Sequence, residues 1–255
     1  ATAATAAEQS PSVIWTVGQA DRSASEFALA PDRFRDFLAN DFGYEDKYFL
    51  VGHSVPAADF PYVLPGPADT WGGTWPTSGW RTHQVNILFG LKEIPSDGTC
   101  TLVVDLLDYA KNFLPLVKVS VNTQDAKFQL DAPGLCVADQ RKPNQMEKIV
   151  DTLSITGNLA KATPRRLEIP IRPGVLKAGG NEVTITVLEG SWILFDRVSL
   201  EGPAGTNVEQ PQQLFIRNIE AAPYELADGK RRVQPLLVDL EWLEGAPALS
   251  VELDD

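Results

Sequence analysis

No stretch of this chain sustains a helical hydrophobic period. What recurs instead is short runs of β-branched, leucine and aromatic residues, several alternating apolar with polar, interrupted at short spacing by Gly, Pro or Asn. A period of two sends one face of a strand to a core, and close turn residues leave no room for the crossover helices that a parallel sheet requires. The pattern excludes alternating βαβ units and predicts an all-β sandwich or barrel.

The runs are VIWTV at Val13–Val17, closed by Gly18, then KYFLV at Lys47–Val51, HQVNILFGLKEI from His83, and CTLVVDLLDYA from Cys100. In the third, Val85, Ile87 and Phe89 alternate with Gln84, Asn86 and Leu88, which predicts a strand with one buried face. LVKVSVN at Leu116–Asn122 turns through Asn122 and Thr123 into KFQLDAP and reads as a hairpin. RRLEIPI, Glu182–Leu188 and SWILFDRVSLEG supply the last strands of the series. Between the first two runs, Phe27, Leu29, Phe34, Phe37 and Leu38 are spaced for a short helical turn after Pro31. Residues 134–161 carry few signals and are read as irregular surface.

Residues 1–12, opening ATAATAAEQS, lack an initiator Met and a charged leader, and read as a disordered mature terminus or the edge of an excised fragment. Residues 13–202 form the β-domain. From Gly202 the composition changes to GPAGTNVEQPQQ, a linker, followed by LFIRNIE, VQPLLVDLEWL and ALSVEL as three further strands. The segment 203–255 is short for an independent domain, so it is either docked on the sandwich or the start of a second β-domain.

One connection stands apart. Phe60–His83 holds four of 19 prolines, four of 19 glycines, three of six tryptophans and one of two histidines. So much Pro and Gly cannot belong to a helix or a central strand, and large rings in a loop find either a packing partner or a ligand. This loop is the lip of a binding site or a plug that closes one end of the sandwich. Trp71, Trp75 and Trp80 offer flat faces to sugar C–H groups, and Asp69, Arg81 and His83 offer donors and acceptors to hydroxyls; equally, the rings can fill the sandwich end while Arg81 pairs with Asp69. Trp15 and Trp192 sit in strand patterns and are core residues.

With 22 Lys and Arg against 34 Asp and Glu, the net charge is −12. That charge repels phosphate backbones and excludes nucleic acid as a partner; an anionic polymer would need a local basic patch such as Arg165–Arg166 or Lys230–Arg232. No apolar run approaches the roughly 20 residues of a membrane-spanning helix, so no membrane partner is expected. Cys100 and Cys136 fit no metal spacing and are either one disulfide or two buried thiols. For catalysis, Asp105 with Asp108, or Asp21 with Glu26, are the carboxylate pairs on offer. His83 as base with Arg81 as carboxylate-neutralising cation is the pair a uronate lyase would use. Ser191 lacks the Gly-x-Ser-x-Gly elbow, and no phosphate loop, zinc spacing or EF-hand is present.

Several phrases taken together resemble a known family. IWTVGQAD at Ile14–Asp21, FPYVLPGPADTW at Phe60–Trp71, RTHQVNILFGL at Arg81–Leu91, VKVSVN at Val117–Asn122 and IRPGVLKAGGNEVTITVLEGSWILFDRVSLE at Ile171–Glu201 are similar, in order, to the carbohydrate-binding-like third domain of family 4 polysaccharide lyases, the rhamnogalacturonan lyases. The GGN before one strand and the GSW before the last are the most telling. The resemblance implies a jelly-roll β-sandwich of the galactose-binding-like type, secreted and joined to a catalytic domain of the same parent chain. It further implies a polysaccharide or oligosaccharide ligand and, as in many such jelly rolls, a structural calcium. The functions it leaves open are, in order, a non-catalytic binding module, a structural module packed on a catalytic domain, and part of a lyase or glycosidase active site.

Overall fold

The computed structural model describes residues 12–44, 46–73, 83–94, 99–131 and 153–245. Among them the strands are β1 (Ser12–Gly18), β2 (Tyr48–Leu50), β3 (Val63–Leu64), β4 (Gln84–Leu91), β5 (Cys100–Tyr109), β6 (Leu116–Val121), β7 (Gln124–Gln129), β8 (Arg165–Ile171), β9 (Gly179–Glu189), β10 (Ile193–Gly202), β11 (Val208–Glu209), β12 (Leu214–Ala221), β13 (Leu226–Asp228), β14 (Arg231–Val233) and β15 (Leu236–Trp242). They make an all-β sandwich. One layer runs β1-β10-β5-β8 with β3 paired to the start of β10; the other runs β11-β4-β9-β6-β7 with β2 added to β4. Every pairing is antiparallel except β2 with β4.

The period-two pattern explains why two layers form. Val183, Ile185 and Val187 of β9, Val117, Val119 and Val121 of β6, and Val85, Ile87 and Phe89 of β4 face inward from one sheet. Trp15 and Val17, Leu102, Val104 and Leu106, and Leu167 and Ile169 meet them from the other. Trp15 packs on Phe89 across the interface, with ring centroids 5.2 Å apart. Each such side chain contributes roughly 1.5–3 kcal/mol by leaving water. Trp15 and Trp192 are core residues as expected, and Cys100 is a free buried thiol whose pKa burial raises. Cys136 lies outside the described residues.

The hairpin at Asn122 is present, with Asn122 in the left-handed region at φ 47°. The helical turn after Pro31 is a pair of 3-10 turns, Phe34–Asp36 and Leu38–Asn40. Two more, Leu153–Thr156 and Leu159–Lys161, punctuate the end of the stretch read as irregular.

The expectation of one buried face on β4 is corrected. Asn86 and Leu88 are 3% and 1% exposed although they point away from the main core. A second, small cluster covers that side: Leu50 of β2, Leu88 of β4 and Phe215 of β12 bury one another. β12 and β15 pair into a long hairpin tipped by β13 and β14, and its inner face lies over the outer face of β9. A further pair of strands at the hairpin tip went unpredicted because LADGKRRV shows no apolar alternation; ALSVEL lies outside the described residues.

Candidate functional site

The described part of the Phe60–His83 loop closes one end of the sandwich. Phe60 is 1% exposed and is the hub of an aromatic cluster, with Phe195 at 5.0 Å, Phe27 at 5.5 Å and Phe49 at 6.0 Å between centroids. Tyr62 donates its hydroxyl to the Ile155 carbonyl at 2.6 Å, and Val63 and Leu64 add β3 to the edge of β10. Asp69 is buried, and its carboxylate accepts the Gly66 N–H at 2.8 Å and the Ser191 hydroxyl at 2.6 Å. The Ser of the GSW phrase is therefore a clamp on the loop.

Trp71 is half-buried and lies edge-on to Phe34 at 5.1 Å and Phe37 at 6.0 Å. His83 is 8% exposed, burial lowers its pKa, and its Nε2 has no hydrogen-bond partner among the described residues. Asp69, Trp71 and His83 are brought together around the Asp69–Gly72 turn: a Cβ on Gly72 would meet His83 at 3.7 Å. Trp75, Trp80 and Arg81 lie outside the described residues. Of the three described members, Asp69 holds loop backbone and Ser191, Trp71 packs on Phe34 and Phe37, and His83 is buried.

Each member of the nominated carboxylate pairs has partners elsewhere. Asp105 is shared by Arg166 and Arg197 in a network that also takes in Glu168 and Glu201, on the outer face of the β8-β5-β10 sheet. Asp108 is fully buried and accepts from Lys111, Ser154 and the Thr163 N–H. Glu26 and Asp21 accept backbone N–H groups of Gln19 and Ser23. Among the described residues no three His, Cys, Asp or Glu side chains cluster as metal ligands, so the structural calcium implied by the resemblance has no such ligand set there. Of the basic runs, Arg166 is spent on the Asp105 network and Arg165 on Asp131 and the Tyr109 hydroxyl.

A cleft of ≈ 490 Å³ opens instead where the hairpin meets the other sheet. Its floor is the outward face of β6 and β9, where Ser120 sits opposite Thr184 in register. One wall is β12 and β15, with Arg217, Asn218, Glu220 and Asp239; the other is the loop before β9, with Gly174, Val175 and Lys177. Lys177 Nζ reaches Asn218 Oδ1 across the gap at 3.4 Å.

The GGN phrase builds both walls. Gly180 lets the β12 backbone approach β9 closely, and a bulge between Ile216 and Asn218 places Arg217 over Glu182. Arg217 donates to Glu241 at 2.9 Å and to Glu182 at 3.3 Å; burial opposes its charge, but these carboxylates outweigh burial and raise its pKa above the usual arginine value. Asn181 donates to the carbonyls of Lys177 and Gly179 and accepts from the Lys177 N–H and from Asn122 Nδ2, so its side chain is fully satisfied. Asn122 in turn bonds the Val175 carbonyl and the Glu182 N–H. The Lys177 loop is thereby held before any ligand arrives. Sequence reasoning missed this cleft because its walls come from segments about 40 residues apart; the signal available was GGN itself.

The family model for the CBM-like domain III of polysaccharide lyase family 4 matches residues 13–200. The chain belongs to this family. The matched CBM-like region holds both layers of the sandwich apart from the edge strand β11, and one wall of the cleft, whereas the hairpin that makes the other wall lies beyond it. Among solved structures, a family GH115 4-O-methyl-α-glucuronidase with specificity for decorated arabinogalactans aligns with a TM-score of 0.33 at 12% identity, covering 78% of this chain. The chain spans 19% of that enzyme's length. No curated protein matches.

Proposed function

We propose that this chain is a non-catalytic carbohydrate-binding module of a secreted polysaccharide-degrading enzyme, with a jelly-roll sandwich and a plant-type polysaccharide such as rhamnogalacturonan as ligand. The observation that carries the reading is membership of the CBM-like domain III family over residues 13–200. The geometry of the one nominated base supports it: His83 is 8% exposed behind the Asp69–Gly72 turn, a poor position from which to take a proton from a polymer. Affinity gel electrophoresis against pectin, rhamnogalacturonan and neutral glycans tests the proposal. Retardation by at least one polymer, with no unsaturated uronate product formed, is the expected result; mobility unchanged by every polymer would remove it.

A second reading, a structural module packed on a catalytic domain of the same parent chain, is favoured by one feature. The cross-strand pairs Leu214–Trp242, Ile216–Leu240, Ile219–Val238 and Ala221–Leu236 put an apolar row on the side of the hairpin away from Phe215. Ile219 is 53% and Trp242 48% exposed. Polar substitutions on this row leave glycan binding intact if the row serves only packing.

A further inference from the structure

Resting on the binding-module reading, we propose that the cleft between the β6-β9 face and the β12-β15 hairpin is the glycan site, and that it takes a neutral, hydroxyl-rich sugar segment rather than a uronate. Three observations combine. First, the site is built in advance. Asn181 and Asn122 fix the Lys177 loop through hydrogen bonds of 2.7–2.9 Å, and the Gly180 contact and the Arg217–Glu182 pair fix the hairpin wall, so little ordering is lost on binding.

Second, its chemistry suits hydroxyls. Thr184 and Ser120 lie side by side on the floor, the Ser120 hydroxyl already shared with Asp125, Asn218 offers an amide, and Lys177 is an exposed ammonium whose one bond across the gap among the described residues is a long one. A sugar diol exchanges donors and acceptors with such a set. At ≈ 490 Å³ the space lies within the range of ordinary small-ligand sites.

Third, charge selects. Lys177 and Arg217 face Glu182, Glu220 and Asp239, and Arg217 is already neutralised by Glu182 and Glu241. The cleft is net negative within a chain of net charge −12, so a uronate carboxylate is repelled both on approach and in place. Within a branched pectic polymer this selects neutral side chains over the acidic backbone.

The test uses calorimetry of the whole chain with three probes, a neutral galactan, a neutral arabinan and polygalacturonate. It is repeated with Lys177→Ala, Asn218→Ala and Thr184→Phe, each checked for an unchanged melting temperature. Among the described residues the side chains of Lys177 and Asn218 make only the 3.4 Å bond with each other, so their removal should leave the fold in place. The expected result is binding to galactan or arabinan, weakened on the order of tenfold by either alanine variant and abolished by the phenylalanine that fills the floor. Preference for polygalacturonate overturns the neutral assignment. Neutral-glycan binding that is indifferent to all three variants overturns the cleft as the site while leaving the module reading standing. Absence of binding to any polymer in the wider panel removes the module reading itself.

Discussion

Gly180 lies so close to β12 that a Cβ on it would stand 2.2 Å from the Ile216 carbonyl oxygen and 2.8 Å from that of Arg217. Those oxygens belong to backbone, so nothing cheap can move aside. Gly180→Ala therefore pushes the hairpin off the sheet and opens the Leu50–Leu88–Phe215 cluster. A loss of about 1–3 kcal/mol in urea unfolding is expected. Hydrogen exchange should speed up in β12 and β15 far more than in β5 or β10; equal change across all strands would refute the hairpin seat.

Asn181 makes a different prediction, because its four hydrogen bonds tie a loop instead of a strand. Asn181→Ala strands the Lys177 N–H and two carbonyls and costs about 1–3 kcal/mol. Asn181→Asp keeps the acceptor oxygen but sets an anionic oxygen against the Lys177 and Gly179 carbonyls, and should be at least as destabilising as alanine. An alanine variant as stable as wild type would show that the loop is held by something other than this side chain.

How much of this was legible follows from where each constraint lives. Val183, Ile185 and Val187 announce an inward face by local alternation, and the two layers follow from many such runs. Leu88 did not announce its burial: what covers it is Phe215, a residue 127 positions later in a segment that reads as a separate strand. GGN was visible as a phrase, but Gly180 and Asn181 serve unrelated ends, close approach and loop pinning, and only the position of β12 separates them. The loop 60–83 was legible as shaped and aromatic. That Asp69 accepts from Ser191 depends on a contact between residues 122 apart, which spacing cannot reveal.

Trp71 decides between plug and lip. Its ring packs edge-on against Phe34 and Phe37, so Trp71→Ala should lower stability by about 2–4 kcal/mol, less than a wholly buried tryptophan, with glycan affinity at saturating protein unchanged. Thermal melts paired with affinity electrophoresis read both quantities. An unchanged melt together with lost retardation would make Trp71 a ligand platform and restore the lip.

Asp196 supplies a pH dependence with a definite sign. Burial, reinforced by the nearby carboxylates Asp21 and Asp105 and opposed by the Arg22 N–H at 3.0 Å, pushes its pKa up to about 6 from an unfolded value near 3.8. The folded state thus holds the proton more tightly than the unfolded chain. Its contribution to stability is complete below about 3.8 and is lost as pH rises through about 6. Buried His83 has the opposite slope, since burial favours its neutral form and stability falls as acid protonates it. The Asp196 share is isolated by Asp196→Asn, which keeps an oxygen for the Arg22 N–H and removes the charge. The variant should be at least as stable as wild type at neutral pH, and the difference between the two melting curves should shrink steadily as pH falls from about 6 to about 3.8. A variant less stable than wild type at neutral pH would mean that the ionised carboxylate is doing structural work that its burial conceals.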